Sequence, residues 1–335
     1  MKWLFLLMST SVLIYSCQNE RKKSTSEIST TQCTPNKVFD CFISDSVWFE
    51  TYRQINNKVT RPLIADAFKV VSQKTDIDNG NLGLLFFIAT NLDSTGFNAP
   101  NFLLRYPFAN QIYITGQFKK LAETGLLVYN NARFKISEKG RKVINDLTTA
   151  INSQKIMLLS TAEVELVLHL FHQVSNSENL KCFPSLVERR KALVHKNVTP
   201  TSTSLKFIVL MDDLIAMRND ASHYRMERLN KEINLSLPAA EILAHLGSGT
   251  FVYSDFSDRP TWGHSKEETT HFEEELTSLH LASRNNNGEL KITELGQELQ
   301  SKSALNAEMT FYEPWLNIDK ETLKDYYSIL NKLKS

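Results

Sequence analysis

The sequence has few of the residues and patterns by which enzymes and metal proteins are usually recognised. It contains only 4 cysteines in 335 residues, and none of them lies in a Cys-x-x-Cys pair or another zinc-ligand spacing. A glycine-rich phosphate loop and a nucleophile elbow are also missing. The formal net charge is +1, so no overall positive field favours nucleic acid. These absences predict a chain without cofactor or metal, and its function has to be sought in local patterns.

The sequence also lacks an apolar run long enough to cross a bilayer as a helix, but its first twenty residues are unusual. Lys2 is followed by an uncharged, mostly apolar run over residues 3–16. A membrane-spanning helix needs about 20 apolar residues, whereas this run has the length of the apolar part of a signal peptide. Cys17 follows it directly.

The residues around this cysteine carry a resemblance. With Ile14 three positions before Cys17 and Ser16 immediately before it, the stretch resembles a bacterial lipoprotein signal, although Tyr15 departs from the usual small residue. The resemblance implies that residues 1–17 are a signal peptide with its lipobox, that Cys17 carries the lipid, and that the protein is anchored in the cell envelope. The polar segment 18–43 would be the tether, because it cannot bury a core. The alternative is that the start of the chain is misassigned or that residues 1–17 form a buried apolar helix. In either case the protein would be cytoplasmic.

The rest of the chain predicts helices and two short β-ribbons. The segments "FKISEKGRKVI" (134–144) and "LKITELGQELQ" (290–300) are nearly the same phrase. In each, an alternating strand leads to a helix that Ser137 or Thr293 caps. Helices precede both ribbons, and Gly125 stands where a helix ends. We therefore expect a mainly α (α+β) fold, with a first module over residues 44–178 and a second over 179–335.

Both modules resemble known winged-helix families. The segment "LAETGLLVYNNARFKISEKGRKVI" resembles the MarR-like family, and this resemblance covers about residues 81–175. It implies a helix that reads DNA, a wing that contacts phosphates and, as one arrangement, a homodimer. Residues 205–330 resemble the SalK-like winged-helix family, which implies a fold without a mechanism. The residues that carry this second resemblance are Arg218, Asp220, His223, Trp262, Thr293, Gly296, Pro314 and Trp315.

The two modules differ in charge, which matters for DNA binding. Residues 110–148 contain seven basic and three acidic side chains, whereas residues 262–302 contain four basic and eight acidic ones. An acidic helix facing phosphates lowers affinity, so only the first module is a candidate for DNA. Its predicted contact residues are Gln117, Lys119, Lys120, Arg133 and Lys135. A solvated basic face on a protein-binding module is the equal alternative.

Two further patterns could carry chemistry. "RNDASH" also resembles the motif of HEPN-type ribonucleases, and Arg218 and His223 would then act on the scissile phosphate. The structural alternative pairs Arg218 with Asp213 or Asp220 and places His223 in a helix interface. Elsewhere, three residues at i, i+4 and i+7 share one side of a helix, a spacing that can hold a metal. Because this set lacks an HExxH order and an outside ligand, we predict no metal there; it comprises Glu165, His169 and His172.

The interpretation that these patterns favour is a non-enzymatic, membrane-anchored lipoprotein whose modules bind a protein or a small molecule. Its pocket is predicted between the helices around residues 161–174 and 205–229, by analogy of fold. The first alternative is a MarR-like transcriptional regulator, which requires that the chain is not exported. The second is a HEPN-like ribonuclease.

Overall fold

The computed structural model describes most of the chain after the predicted tether. The described residues are 46–93, 95–176, 183, 185–187, 189–190, 198, 200–247 and 263–334. The predicted lipid-attachment residue Cys17, the segment 18–43 and Trp262 lie outside this range. A search of the described helices finds none that is long and apolar enough to cross a bilayer.

The described elements are mainly helical, and two antiparallel ribbons interrupt them, as predicted. The first ribbon pairs β1 with β2, and the second pairs β3 with β4. In chain order the elements are α1 (Ser46–Glu50), a π-helical segment (Thr51–Thr60), α2 (Arg61–Thr75), α3 (Asn79–Asn91), α4 (Ala99–Leu103), α5 (Gln111–Glu123), β1 (Leu127–Asn130), β2 (Arg133–Ile136), α6 (Glu138–Asn152), α7 (Thr161–Ser175), α8 (Thr203–Ile233), α9 (Leu237–Gly247), α10 (Lys266–Ser278), β3 (Ala282–Arg284), β4 (Leu290–Ile292), α11 (Glu294–Tyr312), a 3₁₀ helix (Glu313–Asn317) and α12 (Lys320–Lys334).

The first long helix does not break at Pro62, where the sequence predicts an interruption. It changes its hydrogen bonding instead, because the ten residues before Arg61 form wide π turns and the Arg61 N–H donates to the carbonyl of Asn56, five residues earlier. Pro62, which has no N–H to donate, lies in the first α-helical turn directly after this change. Helical spacing also predicts an apolar face of Leu63, Ala67, Val70 and Val71, but Val70 is 40% exposed.

The predicted helix caps are confirmed. Ser160 and Glu163 form a capping box at α7, and Ser265 and Glu268 form another at α10. Each box satisfies two backbone N–H groups that the first turn of a helix leaves without partners. Asn98 caps α4 through the N–H of Asn101.

The repeated phrase corresponds to a repeated hydrogen-bond scheme, seen first around β2. The Ser137 N–H donates to the Leu126 carbonyl at 3.1 Å, and the Ser137 hydroxyl accepts from the Gly140 N–H at 2.9 Å. The start of α6 is thereby held so close to Leu126 that a Cβ atom at position 140 would lie 2.2 Å from its carbonyl oxygen. Only glycine fits this position without movement of the backbone.

The second ribbon repeats these contacts. The Thr293 N–H donates to the Leu281 carbonyl at 3.0 Å, and the Thr293 hydroxyl accepts from the Gly296 N–H at 3.1 Å. A Cβ atom at position 296 would lie 2.1 Å from the Leu281 carbonyl oxygen. The two halves of the molecule therefore join ribbon to helix in the same way.

The turn of the first ribbon lies one residue later than the sequence indicates. The pair Asn130–Arg133 closes the ladder, so Asn131 and Ala132 form the turn instead of Asn130 and Asn131. Both have positive φ angles, 50° and 61°, as a two-residue hairpin turn requires. Ala132 carries no sequence signal for that conformation. A bridge between Phe97 and Phe134 adds a third short segment to the ribbon.

Buried apolar side chains form two cores that share one helix. The larger core joins α1, the first module and the amino-terminal half of α8 with the carboxyl-terminal segment 311–333. The smaller core contains the end of α8, α9, α10 and the second ribbon. The 31-residue helix α8 runs through both, because its buried residues change from the first core to the second between Ala221 and Met226.

Candidate functional site

A partly open cavity of about 80 Å³ lies against the π-helical segment, α2, α3 and α8. The first long helix contributes a residue to its wall at every fourth position. This spacing keeps the contributing side chains on one side of the helix across the change from π to α turns. π turns inside helices are frequent at functional sites. The residues that the helix contributes are Tyr52, Asn56, Thr60, Ile64 and Phe68.

The cavity differs in position from the predicted pocket. Helix α8 lines it as expected, through Asp212 and Ile215 among others, but residues 161–174 are not among its described lining residues. Helix α7 packs directly on α8 instead, with the rings of Phe171 and Phe207 6.1 Å apart.

Arg189 brings a buried charge to the wall of the cavity. Its Nη1 lies 2.6 Å from Asp212 Oδ2, and its Nε lies 2.5 Å from Asp213 Oδ1. The same guanidinium donates to the carbonyls of Thr90, at 2.9 Å, and Val209, at 2.8 Å. These four contacts compensate a charge whose transfer from water is otherwise very costly.

Asp212 is shared between two arginines. Arg105 Nη2 lies 2.6 Å from its Oδ1, and the amide of Asn91 donates to its Oδ2 at 3.2 Å. Burial works against ionisation, but Arg105 and Arg189 outweigh it and hold the pKa of Asp212 below its ordinary value. The Asp212 side chain lies on the cavity wall and is 27% accessible. The cavity thus contains the edge of an ionised carboxylate.

Thr60 supplies the other polar feature. It is 3% exposed and lines the cavity, and its hydroxyl has no hydrogen-bond partner among the described residues. A buried hydroxyl without a partner costs about 1–3 kcal/mol. Thr60 therefore places an unsatisfied hydrogen-bonding group beside the cavity.

Sequence reasoning missed this site because its charged residues are far apart in the chain. Arg105, Arg189 and Asp212 come from three segments that only the tertiary fold brings together. One signal was present: the pair Asp212-Asp213 stands in the apolar run "FIVLMDDLIAM". Adjacent carboxylates on a buried helix require cationic partners elsewhere.

The predicted DNA-contact residues lie on the surface of the first module. Lys119, Lys120, Arg133 and Lys135 are exposed and Gln117 is half-buried. Helix α5 buries Phe118 and Leu121, and Leu126, which precedes the ribbon, is also fully buried, as the sequence predicts for all three.

The first turn of α5, however, packs on the second module. Asn110, which caps α5, donates its amide to the Glu268 carboxylate at 3.1 Å, and the Tyr113 ring lies against Gly263. His264 Nε2 lies 2.7 Å from the carbonyl oxygen of Phe108, so this histidine has the packing role expected from the sequence. The amino-terminal residues of a recognition helix usually contact the base edges. Here the acidic side chain of Glu268 lies next to the amino-terminal end of α5.

The residues of "RNDASH" point in different directions. The Arg218 guanidinium is buried and lies 5.3 Å from the centre of the Phe311 ring, a location away from any solvent-borne phosphate. Asp220 accepts the backbone N–H groups of Ser185 and Leu186 at 3.1 and 3.3 Å. His223 is half-buried and lies 3.6 Å from Glu227, and burial lowers its pKa.

The remaining predicted residues form no group around a common point. Glu165, His169 and His172 are exposed along one face of α7. Within the described part of the chain, no group of three or more His, Cys, Asp and Glu residues could hold a metal ion.

Comparisons with known proteins find no relative of this chain. No protein-family model matches the chain, and no curated protein or solved structure is significantly similar to it. The resemblances to MarR-like and SalK-like families therefore remain predictions from the sequence.

Proposed function

We propose that this protein is a non-enzymatic binding protein whose ligand is a small molecule in the cavity beside the π-helical segment. The observation that carries the proposal is the cavity itself, whose wall combines aliphatic and aromatic side chains with the accessible edge of Asp212 and with Thr60, whose hydroxyl has no partner among the described residues. Binding sites typically combine such a wall with a few placed polar groups. A catalytic dyad or metal group is not needed for this function.

Isoleucine methyl groups provide the test. Ile64, Ile208 and Ile215 line the cavity, whereas Ile242 and Ile329 are buried elsewhere. A library of small molecules is added to the methyl-labelled full chain, and the proposal expects saturable shifts at the first three methyl groups only. An Ile208→Phe variant whose circular dichroism spectrum matches that of wild type should no longer show ligand-dependent shifts at Ile64 and Ile215. A library that shifts no cavity methyl group would contradict ligand binding.

We further propose that Cys17 anchors this binding protein in the cell envelope, because the stretch before it resembles a lipoprotein signal. Mass spectrometry of the mature amino terminus, taken from native membranes and compared with a Cys17→Ala variant, tests this. A diacylated Cys17 in wild type and its loss in the variant are expected. An intact Met1 in the soluble fraction would contradict the anchor.

Two winged-helix modules are part of the same proposal. What supports them is the order of helix, helix, ribbon and helix together with the shared contacts of Ser137 and Thr293. In this interpretation the contact between Asn110 and Glu268 joins the first turns of the two equivalent helices α5 and α10.

The exposed basic side chains of α5 and β2 favour a second candidate function, DNA binding. It predicts an affinity for duplex DNA that falls steeply with salt and falls further in the double variant Lys119→Ala, Lys120→Ala. Lys324→Ala is the control, since Lys324 is an exposed cation on α12. The second candidate is rejected if binding is absent at low salt. The contact that covers the start of α5 is the reason why we place it second.

A further inference from the structure

The chemical class of the ligand can be inferred from the charges around the cavity, provided that the cavity is the binding site proposed above. Only two charged residues, Arg189 and Asp212, are among its described lining residues. Behind them, Asp213 pairs with Arg189 and Arg105 pairs with Asp212. The cluster thus contains two guanidinium groups and two carboxylates, so its charges balance before any ligand enters.

An anionic ligand does not suit this arrangement. Four of the five N–H donors of Arg189 are already directed at two carboxylates and two backbone carbonyls. The group that remains accessible on the wall is the Asp212 carboxylate, which repels a second anion. Removing an anion from water without a compensating cation is strongly unfavourable.

A cationic ligand is disfavoured for the complementary reason. Both oxygens of Asp212 already have a guanidinium nitrogen at 2.6 Å. A third cation at this carboxylate would lie beside two positive charges and would also lose its hydration. Aromatic rings on the wall could attract a cation, but Arg61 already lies 5.3 Å from the centre of the Tyr52 ring.

A neutral donor fits both polar features. Asp212 Oδ1 has one hydrogen bond, from Arg105, and an ionised carboxylate oxygen can accept a second. The Thr60 hydroxyl can donate or accept. A neutral group with N–H or O–H hydrogens therefore satisfies the wall without adding a charge to the balanced cluster.

The volume indicates how large a group the cavity can enclose. An engineered cavity of about 150 Å³ binds benzene, and this cavity has about half that volume, about 80 Å³. We propose that the cavity selects a neutral polar molecule of about four non-hydrogen atoms that carries a hydrogen-bond donor, such as a small primary amide or alcohol.

An isosteric series tests the class directly. Acetamide, acetate and acetamidinium have the same shape and the same number of non-hydrogen atoms, but are neutral, anionic and cationic. In titrations of the full chain, followed at the methyl groups of Ile64, Ile208 and Ile215, acetamide should bind at least about tenfold more tightly than either ion. Acetone, which has the same size but no donor, should also bind more weakly than acetamide.

A pair of threonine variants tests the contact with Thr60. Thr60→Val removes the unpartnered hydroxyl and keeps the shape, so it should weaken acetamide about fivefold without lowering the melting temperature. Thr51→Val is the matched control in the same π-helical segment. The Thr51 hydroxyl lies 2.6 Å from Tyr326 Oη and is not among the cavity-lining residues, so this variant should be less stable and bind acetamide normally.

The outcomes separate the class from the site. Tighter binding of acetate or acetamidinium than of acetamide would contradict the neutral class, but it would confirm that the cavity binds a ligand. Methyl shifts with other library compounds and none with acetamide would have the same meaning. If neither the series nor the library shifts the cavity methyl groups, the cavity holds ordered water only, and both the class and the proposed function are wrong.

Discussion

At the scale of single residues, the buried guanidinium of Arg189 joins two carboxylates into one cluster. It pairs with Asp213 and Asp212 through contacts of 2.5 and 2.6 Å. Removing one member of such a cluster leaves charges without compensation, which typically costs about 3–5 kcal/mol. The stability of the first module therefore depends on a few polar side chains as well as on its apolar core.

The first prediction is that Arg189→Met lowers the free energy of unfolding by about 3–5 kcal/mol, as measured by urea titration. Arg228→Met is the matched control. Arg228 pairs with Glu232 on the exposed face of α8, where both side chains are more than 40% accessible, and its removal should leave stability unchanged. Equal effects of the two variants would contradict the role of the buried cluster.

Asp220 makes stability depend on pH. Burial raises its pKa from 3.8 to about 6, against the hydrogen bonds from Ser185 that lower it. Ionisation is therefore harder in the folded state than in the unfolded chain. The contribution of this group to stability is complete below about pH 4 and decreases until about pH 6, by roughly 3 kcal/mol in total.

The second prediction concerns Asp220→Asn, which cannot ionise. Between about pH 4 and pH 7 the difference in unfolding free energy between variant and wild type should change by roughly 3 kcal/mol in favour of the variant. Asp319→Asn should show a change of the opposite sign at lower pH. Hydrogen bonds from the backbone and hydroxyl of Thr322 lower the pKa of Asp319, so wild type loses stability relative to this variant as the pH falls below about 4. A difference for Asp220→Asn that does not change with pH would contradict the prediction.

Single residues also show where the sequence was informative. The caps Asn98, Ser137 and Thr293 could be predicted because a cap and the N–H it accepts are two or three positions apart. The surroundings of Arg218 and the partners of Asp213 and Asp220 could not be predicted. Asp213 binds Arg189, and Asp220 binds the backbone at Ser185. Neither contact follows from the spacing of these residues in the sequence.

At the scale of elements, the two ribbon-to-helix junctions are the most constrained parts of the chain. Gly140 and Gly296 each lie in the first turn of a helix, directly against a backbone carbonyl group. A side chain there cannot turn away, since the obstacle is main chain on the facing segment. The likeness of the two phrases in the sequence thus reflects one steric requirement met twice.

The third prediction is that Gly140→Ala and Gly296→Ala each lower the free energy of unfolding by about 1–3 kcal/mol. Gly116→Ala in α5 is the control. A Cβ atom at position 116 meets no atom within 4 Å, so alanine should stabilise this helix by up to about 1 kcal/mol. Urea unfolding of the three variants decides the matter, and a tolerated alanine at position 140 or 296 would show that the junction is less tight than described.

The elements that the sequence did not predict depend on the rest of the molecule. Helical periodicity shows that residues 46–75 are helical, but the choice of π turns over Thr51–Thr60 depends on how this segment packs. Likewise Ala132 takes a positive φ angle of 61° because the register of β1 and β2 places it in the turn. Local propensity alone would have placed Asn130 there.

At the scale of the whole molecule, the carboxyl-terminal helix closes the larger core against the first helix. The Thr51 hydroxyl lies 2.6 Å from the buried Tyr326 Oη, and the Lys58 ammonium donates to the Leu333 carbonyl. Leu323, Tyr326 and Leu330 belong to the same core as Ile55. The two ends of the described chain should therefore unfold together.

The fourth prediction follows from this closure. Tyr326→Phe removes the hydrogen bond to Thr51 and should lower stability by about 1 kcal/mol. Hydrogen exchange should accelerate equally in the π-helical segment and in α12, since both belong to one cooperative unit. Tyr224→Phe, at a side chain that is 55% exposed, should change neither. Faster exchange in α12 alone would show that this helix opens independently.

The candidate cavity belongs to this largest scale, which explains why the sequence did not predict its position. Fold analogy located a pocket between two long helices, and one of them, α8, does line the cavity. The other wall comes from the first long helix and from α3, and Arg189 completes the site. Periodicity identifies which faces are apolar but not which apolar faces meet.

The contact between the two ends has a consequence for the connectivity of the protein. Lys334 Nζ lies 3.2 Å from Glu50 Oε1, so the described chain ends almost where it begins. Chains with adjacent ends tolerate circular permutation and insertion into a host loop. A short linker from Lys334 to Ser46, with new termini at the exposed hairpin turn Asn131–Ala132, should preserve both cores although the order of the elements along the chain is changed.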